Sequence, residues 1–316
     1  MNFNLIIRWI RMLQGKSSFH VKQGQGKFYS KCEVRGYYND MTNKVLSNQT
    51  LIDENGIPYN ILTSGEKIYF PGTIFQYALG LYDLYLENED KKYLKHFLKL
   101  ANWAMKEQDI NGKWECMSIL HNSIHESQSA MCQSEGISVL VRAYVQTHNK
   151  NYLDKAKMAM DLMIKPSNFG GTCYYDGNNV IFQEYVSKYN QSVLNGWIFS
   201  LFGLYDYYLI TKDSKIKILL DKSLKTLSSL LDKYDRKFWT NYDLVGTIAS
   251  PSYHDIHIMQ LSVLYDIFED KNFLKYAQKW ENYQKSKFNK IRAMFIKLYQ
   301  KMKKTKYYDI NTNLVK

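Results

Sequence analysis

Residues 80–94 read GLYDLYLENEDKKYL, and the same phrase returns three times: VRAYVQTHNKNYL at 141–153, GLYDYYLITKDSKIK at 203–217 and VLYDIFEDKNFL at 263–274. Aligned on Tyr82, Tyr144, Tyr205 and Tyr265, the copies are 62, 61 and 60 residues apart. Each is the apolar end of one helix, a short polar turn and the start of a second helix. The second helices, such as YLKHFLKLANWAMK at 93–106 and YLDKAKMAMDLMIK at 152–165, carry apolar residues at three- and four-residue spacing. Four copies in near-constant register predict repeated helical hairpins. One hairpin cannot bury its apolar face alone, so the four must stack, and closure into an (α/α) barrel lets the linkers 108–126, 164–190 and 233–252 gather at one rim. The predicted fold is therefore mainly α, with a β-hairpin insertion where Asp176-Gly177 separates two β-type runs in TCYYDGNNVIFQEY (172–185).

Outward from the repeats, four parts are expected. Residues 1–19 hold the basic amphipathic run NLIIRWIRMLQ, too short to span a bilayer and followed by no small-residue cleavage site. Residues 20–70 read as a small β-rich N-terminal part, from KFYSKCEV, KIYF and the turn signals at Asn55-Gly56 and Ser64-Gly65. The helical barrel occupies 71–287. A basic C-terminal helix and tail fill 288–316, with Lys and Arg interleaved among Ile, Met, Phe and Leu at helical spacing.

Composition narrows the function. Hydrophobic residues at 45% with 23% charged describe a folded globular chain, which removes disorder and collagen. Forty-two Lys and Arg against 30 Asp and Glu give a net charge of +12, favouring a polyanionic partner. Nucleic acid has only that charge in its favour and is set aside. Cys32, Cys116, Cys132 and Cys173 form no C-x-x-C pair and read as free thiols of a reducing compartment. No phosphate loop, G-x-S-x-G elbow or H-E-x-x-H is present, which removes nucleotide-dependent, serine-hydrolase and zincin chemistry. No metal site is expected: His254 and His257 lie one helical turn apart but the sequence points to no further ligands. Tyrosine is the anomaly, 27 residues, more than a core needs and able both to bind sugars and to exchange protons. Tyr82, Tyr144, Tyr205 and Tyr265 are explained by repeat packing. Three others stand outside the repeat register, in linkers: Tyr185 of Gln183-Glu184-Tyr185, Tyr242 of Trp239-Thr240-Asn241-Tyr242-Asp243-Leu244, and Tyr253 of Ser250-Pro251-Ser252-Tyr253-His254.

The segments GYYNDMTNKV (36–45), IYFPGTIFQYALGLYDLYL (68–86), SAMCQSEGISVLVRAY (129–144), EYVSKYNQSVLNGWIFSLFGLYDYY (184–208) and YDLVGTIASPSYHDIHIMQLSVLYDIF (242–268) resemble the D-glucuronyl C5-epimerase family. The resemblance is to the helical C-terminal domain of heparosan glucuronate 5-epimerases and its bacterial relatives, and runs from about Gly36 to about Lys287. It implies a β-rich N-terminal part, an (α/α) barrel, and inversion at C5 of D-glucuronate within an acidic polysaccharide to give L-iduronate. It places catalytic tyrosines on Tyr185, Tyr242 and Tyr253, with Glu184 beside the first and Tyr37 and Tyr38 in a tyrosine-bearing early motif. Tyr37, Tyr38, Gln133, Glu135, Arg142, Asn195, His254 and His257 are expected on the substrate. Three departures bear on the glycan: Val245 where relatives have Arg after Tyr-Asp-Leu, Cys132-Gln133-Ser134-Glu135 for Ala-Gln-Gly-Gln, and Val186 for Pro.

C5 inversion needs an acid/base group on each face and donors or cations on the carboxylate. Tyr185 and Tyr242 are expected to oppose each other, Tyr253 with His254 to polarise the carboxylate, and His254, His257, Arg142 or Lys188 to lower the phenol pKa values. No cofactor is required, and a structural divalent cation is left open. Rival readings are a uronate-polysaccharide lyase, in which the same carbanion expels the C4 oxygen; a hydrolase using Glu184 with Glu135 or Asp243; and an inactive glycan-binding relative. The Lys-, Asn- and Tyr-heavy composition and the lack of a signal segment point to a bacterial cytoplasmic protein of polysaccharide assembly. A peripheral membrane contact through the basic termini and a homodimer are further expectations.

Overall fold

The computed structural model describes residues 21–303 except 48, 63, 117–127 and 187–190. The expected amphipathic segment 1–19 and the tail beyond 303 lie outside the described residues. In chain order the described residues form β1 (Gly24–Gln25), β2 (Asn39–Asp40), α1 (Thr42–Leu46), β3 (Leu51–Ile52), β4 (Pro58–Ile61) and β5 (Lys67–Ile68). Then come α2 (Pro71–Asn88), α3 (Lys91–Glu107), α4 (Ala130–Thr147), α5 (Lys150–Ile164), β6 (Cys173–Asp176) and β7 (Asn179–Phe182). Last are α6 (Leu194–Thr211), α7 (Ser214–Tyr234), α8 (Pro251–Phe268), α9 (Lys271–Lys285) and α10 (Lys287–Met302).

Every hairpin turns on the same two-residue corner. The first helix stops at a left-handed residue, Glu89, His148, Lys212 or Glu269, at φ 57°, 54°, 54° and 60°. The next residue, Asp90, Asn149, Asp213 or Asp270, caps the second helix, its side chain accepting from the N–H of Lys92, Asn151, Lys215 or Asn272. The cap satisfies one donor that a helix N-terminus leaves free, and the left-handed residue reverses the chain. Short polar turns were expected; that all four share one geometry is the finding.

The helices α2, α4, α6 and α8 are buried almost all round and form the inner layer, whereas α3, α5, α7 and α9 bury one stripe each. Small residues let inner helices approach. Ser134 Oγ donates to Phe199 O at 2.6 Å and accepts from Gly203 N at 3.0 Å. A Cβ on Gly203 would collide with Ser134. Successive inner helices touch, and the N-terminal part bridges first and last, with β1 against α8 and α1 along α2. The result is an (α/α) barrel of four hairpins. The expected β-hairpin insertion is β6–β7, antiparallel with Asp176 opposite Asn179 across Gly177-Asn178.

Residues 25–38 run across the C-terminal ends of the inner helices and bind the aspartates of the Tyr-Asp repeats. Tyr37 N–H donates to Asp83 at 2.9 Å, Tyr38 Oη to Asp206 at 2.9 Å, and Tyr29 Oη to Asp266 at 2.8 Å. The second repeat has Val145 instead of Asp. There Arg142 of α4 takes over, bonding Asp206 at 2.6 Å and the carbonyls of Arg35, Gly36 and Ser138, each at 2.9 Å. Tyr38 and Arg142, expected on the substrate, are thus placed as internal fastenings of this end; Tyr37 joins through its backbone N–H, its buried hydroxyl having no hydrogen-bond partner and sensing the charge of Glu135. The free-thiol expectation is also corrected for one pair. Cys116 and Cys132 form a disulfide, with 7.0 Å between their Cα atoms, because the chain after α3 runs back beside the start of α4. Their 16-residue separation matches no local motif. Cys32 and Cys173 are free.

A left-handed non-glycine residue is strained by roughly 1–2 kcal/mol. Glu89→Gly is expected to raise unfolding free energy by about 0.5–1 kcal/mol in urea titration, after the entropy glycine adds to the unfolded chain. Asp90→Ala, one residue on, is expected to lower it by about 1 kcal/mol.

Candidate active site

The three linker tyrosines converge at the opposite, N-terminal ends of the inner helices. Glu184 and Tyr185 follow β7 directly, and that strand end is sewn to the barrel by Ala130 N–H to Gln183 O and Gln183 N–H to Thr172 O, both 2.9 Å. Tyr242 sits in the turn between α7 and α8, pinned by its N–H to Thr247 O at 2.6 Å and by Leu194 N–H to its carbonyl at 2.9 Å. Asp243 closes this turn, accepting from the Thr247 N–H at 2.8 Å and hydroxyl at 2.6 Å. Tyr253 lies in the first turn of α8, which Ser250 caps and Pro251 opens.

The Tyr185 and Tyr242 hydroxyls are 3.5 Å apart, and the Tyr242 and Tyr253 rings lie 4.8 Å between centroids. Glu184 is 4% exposed and accepts hydrogen bonds from Tyr185 and Tyr242. Its Oε2 has no hydrogen-bond partner. It presses on Gly196 of α6, where any Cβ would collide with the carboxylate. The glycine of the Val-Leu-Asn-Gly run is there to admit this group. Asn195, beside it, is buried with Oδ1 unpartnered. Glu135, one turn into α4, is fully buried, accepts from Gln76 at 2.8 Å and keeps Oε2 unpartnered. Glu135 senses the charges of Glu184 and Lys44.

The electrostatics differ from the expectation. Burial, reinforced by the negative charge of Glu184, holds the Tyr185 and Tyr242 phenols well above their ordinary pKa, and Tyr253 is raised by the same causes. Among the described residues no cation offsets these shifts, and the three phenols are neutral hydrogen-bond donors at pH 7. The group that titrates near neutrality is Glu184, pushed up to about 7 by burial against the hydrogen bonds from the two tyrosines. Glu135 is pushed up to about 8, again chiefly by burial, with Gln76 and Lys44 opposing and Glu184 adding.

His254 and His257 are not cations either. Burial takes His254 down to about 3 and His257 well below its usual value. Thr240 Oγ1 bridges their Nδ1 atoms at 2.9 and 3.1 Å, His254 Nε2 meets Trp280 O at 3.1 Å, and its ring stacks on Trp239 at 3.7 Å. They form an internal wall behind the Tyr242 turn. Gln133 spans the backbone of Gly112 and Trp114 and so holds the segment leading to Cys116. Lys188 lies outside the described residues.

Sequence reading missed what fixes the Tyr242 turn from outside. Gln300 of α10 donates to Gly246 O at 2.9 Å and accepts from Ile248 N–H at 3.0 Å, and Lys297 donates to Ile248 O at 2.7 Å. Lys297 Nζ is also 5.6 Å from the centre of the Tyr242 ring. A helix this far along the chain gives no local signal that it contacts the turn. Among the described residues no three His, Cys, Asp or Glu converge to hold a metal. A surface cavity of about 440 Å³, lined by Asp109, Lys113, Asp161 and Lys165 among others, includes none of the tyrosine–carboxylate cluster.

Fold and site together define an (α/α)-barrel protein with a buried carboxylate bonded to two phenols and a third phenol bonded to one of them. The chain belongs to the D-glucuronyl C5-epimerase C-terminus family, whose model matches residues 108–282. It is 31% identical over 214 residues to a D-glucuronyl C5-epimerase of Caenorhabditis elegans, a match covering 59% of this chain and 34% of that enzyme. The chain thus spans about a third of that relative's length. An uncharacterized protein of Methanocaldococcus jannaschii is 27% identical over 209 residues, 61% of this chain and 68% of its own. Among solved structures, an unsaturated glucuronyl hydrolase of Streptococcus agalactiae superposes with a TM-score of 0.45 at 18% identity, over 66% of this chain and 56% of the other.

Buried carboxyls with raised pKa values bind protons more tightly folded than unfolded, so stability is fullest below their unfolded values and is lost as pH rises through the folded ones. For Glu184, Glu135 and Asp83, the last pushed up to about 7 by burial, the window runs from 3.8 for the aspartate and 4.5 for the glutamates to about 8. The melting temperature is expected to fall across that range, and Glu135→Gln to flatten the upper part of the profile in scanning calorimetry.

Proposed function

We propose that this protein is a carbohydrate C5-epimerase that interconverts D-glucuronate and L-iduronate residues of an acidic polysaccharide. The observation that carries this reading is the convergence of Tyr185 after β7, Tyr242 in the α7–α8 turn and Tyr253 in the first turn of α8 around one buried carboxylate. Family membership supports it, and a net charge of +12 suits a polyanionic substrate.

In this reading the tyrosines take roles other than a simple opposition of Tyr185 and Tyr242. Acid/base groups on opposite faces of C5 each sit about 3 Å from it, so they stand about 6 Å apart. Tyr242 hydrogen-bonds both Tyr185, at 3.5 Å, and Tyr253, so it stands between them and opposes neither. Tyr185 with Glu184 is assigned to one face and Tyr253 to the other. The C5–H bond breaks, its electron pair enters the C5–C6 enediolate, and the proton passes to Tyr185 as the phenol proton moves to Glu184. Neutral phenol donors stabilise the developing charge. Tyr253 delivers a proton to the opposite face and is reprotonated through Tyr242, which bonds both Glu184 and Tyr253. Protons balance over the cycle and no cofactor is required. Asn195, with its free Oδ1, is a substrate contact.

The test is incubation with heparosan in deuterium oxide, followed by NMR. Deuterium at C5 together with iduronate signals is expected. Ultraviolet absorbance from an unsaturated uronate would show a lyase instead, and a silent C5 proton with retained glycan binding would show a binding relative.

Turnover is expected to rise with pH around a midpoint of about 7 as Glu184 ionises, and Glu184→Gln to lower it by about 10²–10⁴-fold with no midpoint left.

Tyr185→Phe and Tyr253→Phe are expected each to keep C5 hydrogen exchange from one epimer and lose it from the other, in opposite senses. Equal loss from both epimers would refute two-face division.

A further inference from the structure

Helix α10 shows two unlike faces. Its inner face, with Ala293, Ile296, Lys297 and Gln300, packs on the Tyr242 turn. Its outer face leaves five large apolar side chains in water: Phe288 at 72% exposure, Ile291 at 49%, Phe295 at 68%, Tyr299 at 55% and Met302 at 66%. Their spacings of 3, 4, 4 and 3 residues place them in one stripe along the helix. A contiguous exposed stripe of this kind marks an interaction surface.

Charge identifies what covers it. The helix holds no Asp or Glu, and Lys287 and Arg292 flank the stripe on either side, Arg292 also lying over the Phe238 ring at 4.0 Å. A second copy of the chain would bring an equally cationic helix against this one. The segment 1–20 would bring Arg8, Arg11 and Lys16 with no acid to meet them. An acidic glycan would pair with the cations and leave the rings wet. An anionic lipid surface satisfies both at once, headgroups meeting the ammonium and guanidinium groups while the apolar residues enter the acyl boundary. No described helix is long and apolar enough to cross a membrane, so this is attachment along a surface.

We propose that α10 seats the protein on an anionic bilayer through the Phe288–Phe295–Met302 stripe. The inference stands apart from the proposed reaction. Because the inner face of the same helix holds the Tyr242 turn, the site then lies about one helix diameter, ~10 Å, from the lipid.

The full chain is tested by cosedimentation with vesicles of phosphatidylcholine alone or mixed with phosphatidylglycerol. Binding is expected only with the anionic lipid and weakens with salt. The double variant Phe288→Ser/Phe295→Ser is expected to bind at least tenfold more weakly at unchanged melting temperature. As a second readout, Phe295→Trp adds a fluorophore whose emission moves to the blue on anionic vesicles, compared with the unsubstituted chain. Three results would overturn the proposal. Undiminished binding by the double variant would assign the attraction to another part of the chain, such as residues 1–20. A dimer in sedimentation equilibrium that the double variant abolishes would make the stripe a self-interface. No binding, or an unmoved Phe295→Trp emission, would leave no lipid seat at all.

Discussion

The ion pair between Arg142 and Asp206, both wholly buried, is the contact on which one end of this barrel rests. It joins two inner helices, and through the Arg35 and Gly36 carbonyls and the Tyr38 hydroxyl it fixes the chain that crosses beneath them. Each nitrogen and oxygen of the pair is occupied, as a charge withdrawn from water requires. Deleting either partner would strand its opposite, at a cost of about 3–5 kcal/mol. With this end committed to holding helices together, polar chemistry is left to the other.

At that other end, the environment selects neutral phenols and a carboxyl poised near neutrality. Burial governs every titration there, ahead of any pairwise charge. Such a centre can hand protons between phenols and a carboxyl whose affinity burial has raised toward theirs. Glu135, held largely protonated at pH 7, removes one negative charge from the barrel interior.

Much of this was legible in the chain. The 62-, 61- and 60-residue register announced the four hairpins, and the absence of Tyr185, Tyr242 and Tyr253 from that register singled them out. What escaped detection was long-range. His254 and His257 share a face, which spacing shows, but Thr240 as their common partner depends on how the turn folds back. Arg142 reads as a cation available to a substrate until the N-terminal segment is seen to deliver carbonyls to it. Cys116 and Cys132 lack any motif because tertiary packing, not spacing, brings them together. Local patterns encode helices and caps; partners chosen across the barrel depend on the assembled whole.

The uniform corners have an evolutionary consequence. Since one two-residue geometry sets the turn between helices at every hairpin, insertions and deletions at the far ends of those helices leave the frame undisturbed. New substrate ranges can therefore be sampled by altering linker length alone, and a lineage can diversify in what it recognises while its architecture stays fixed.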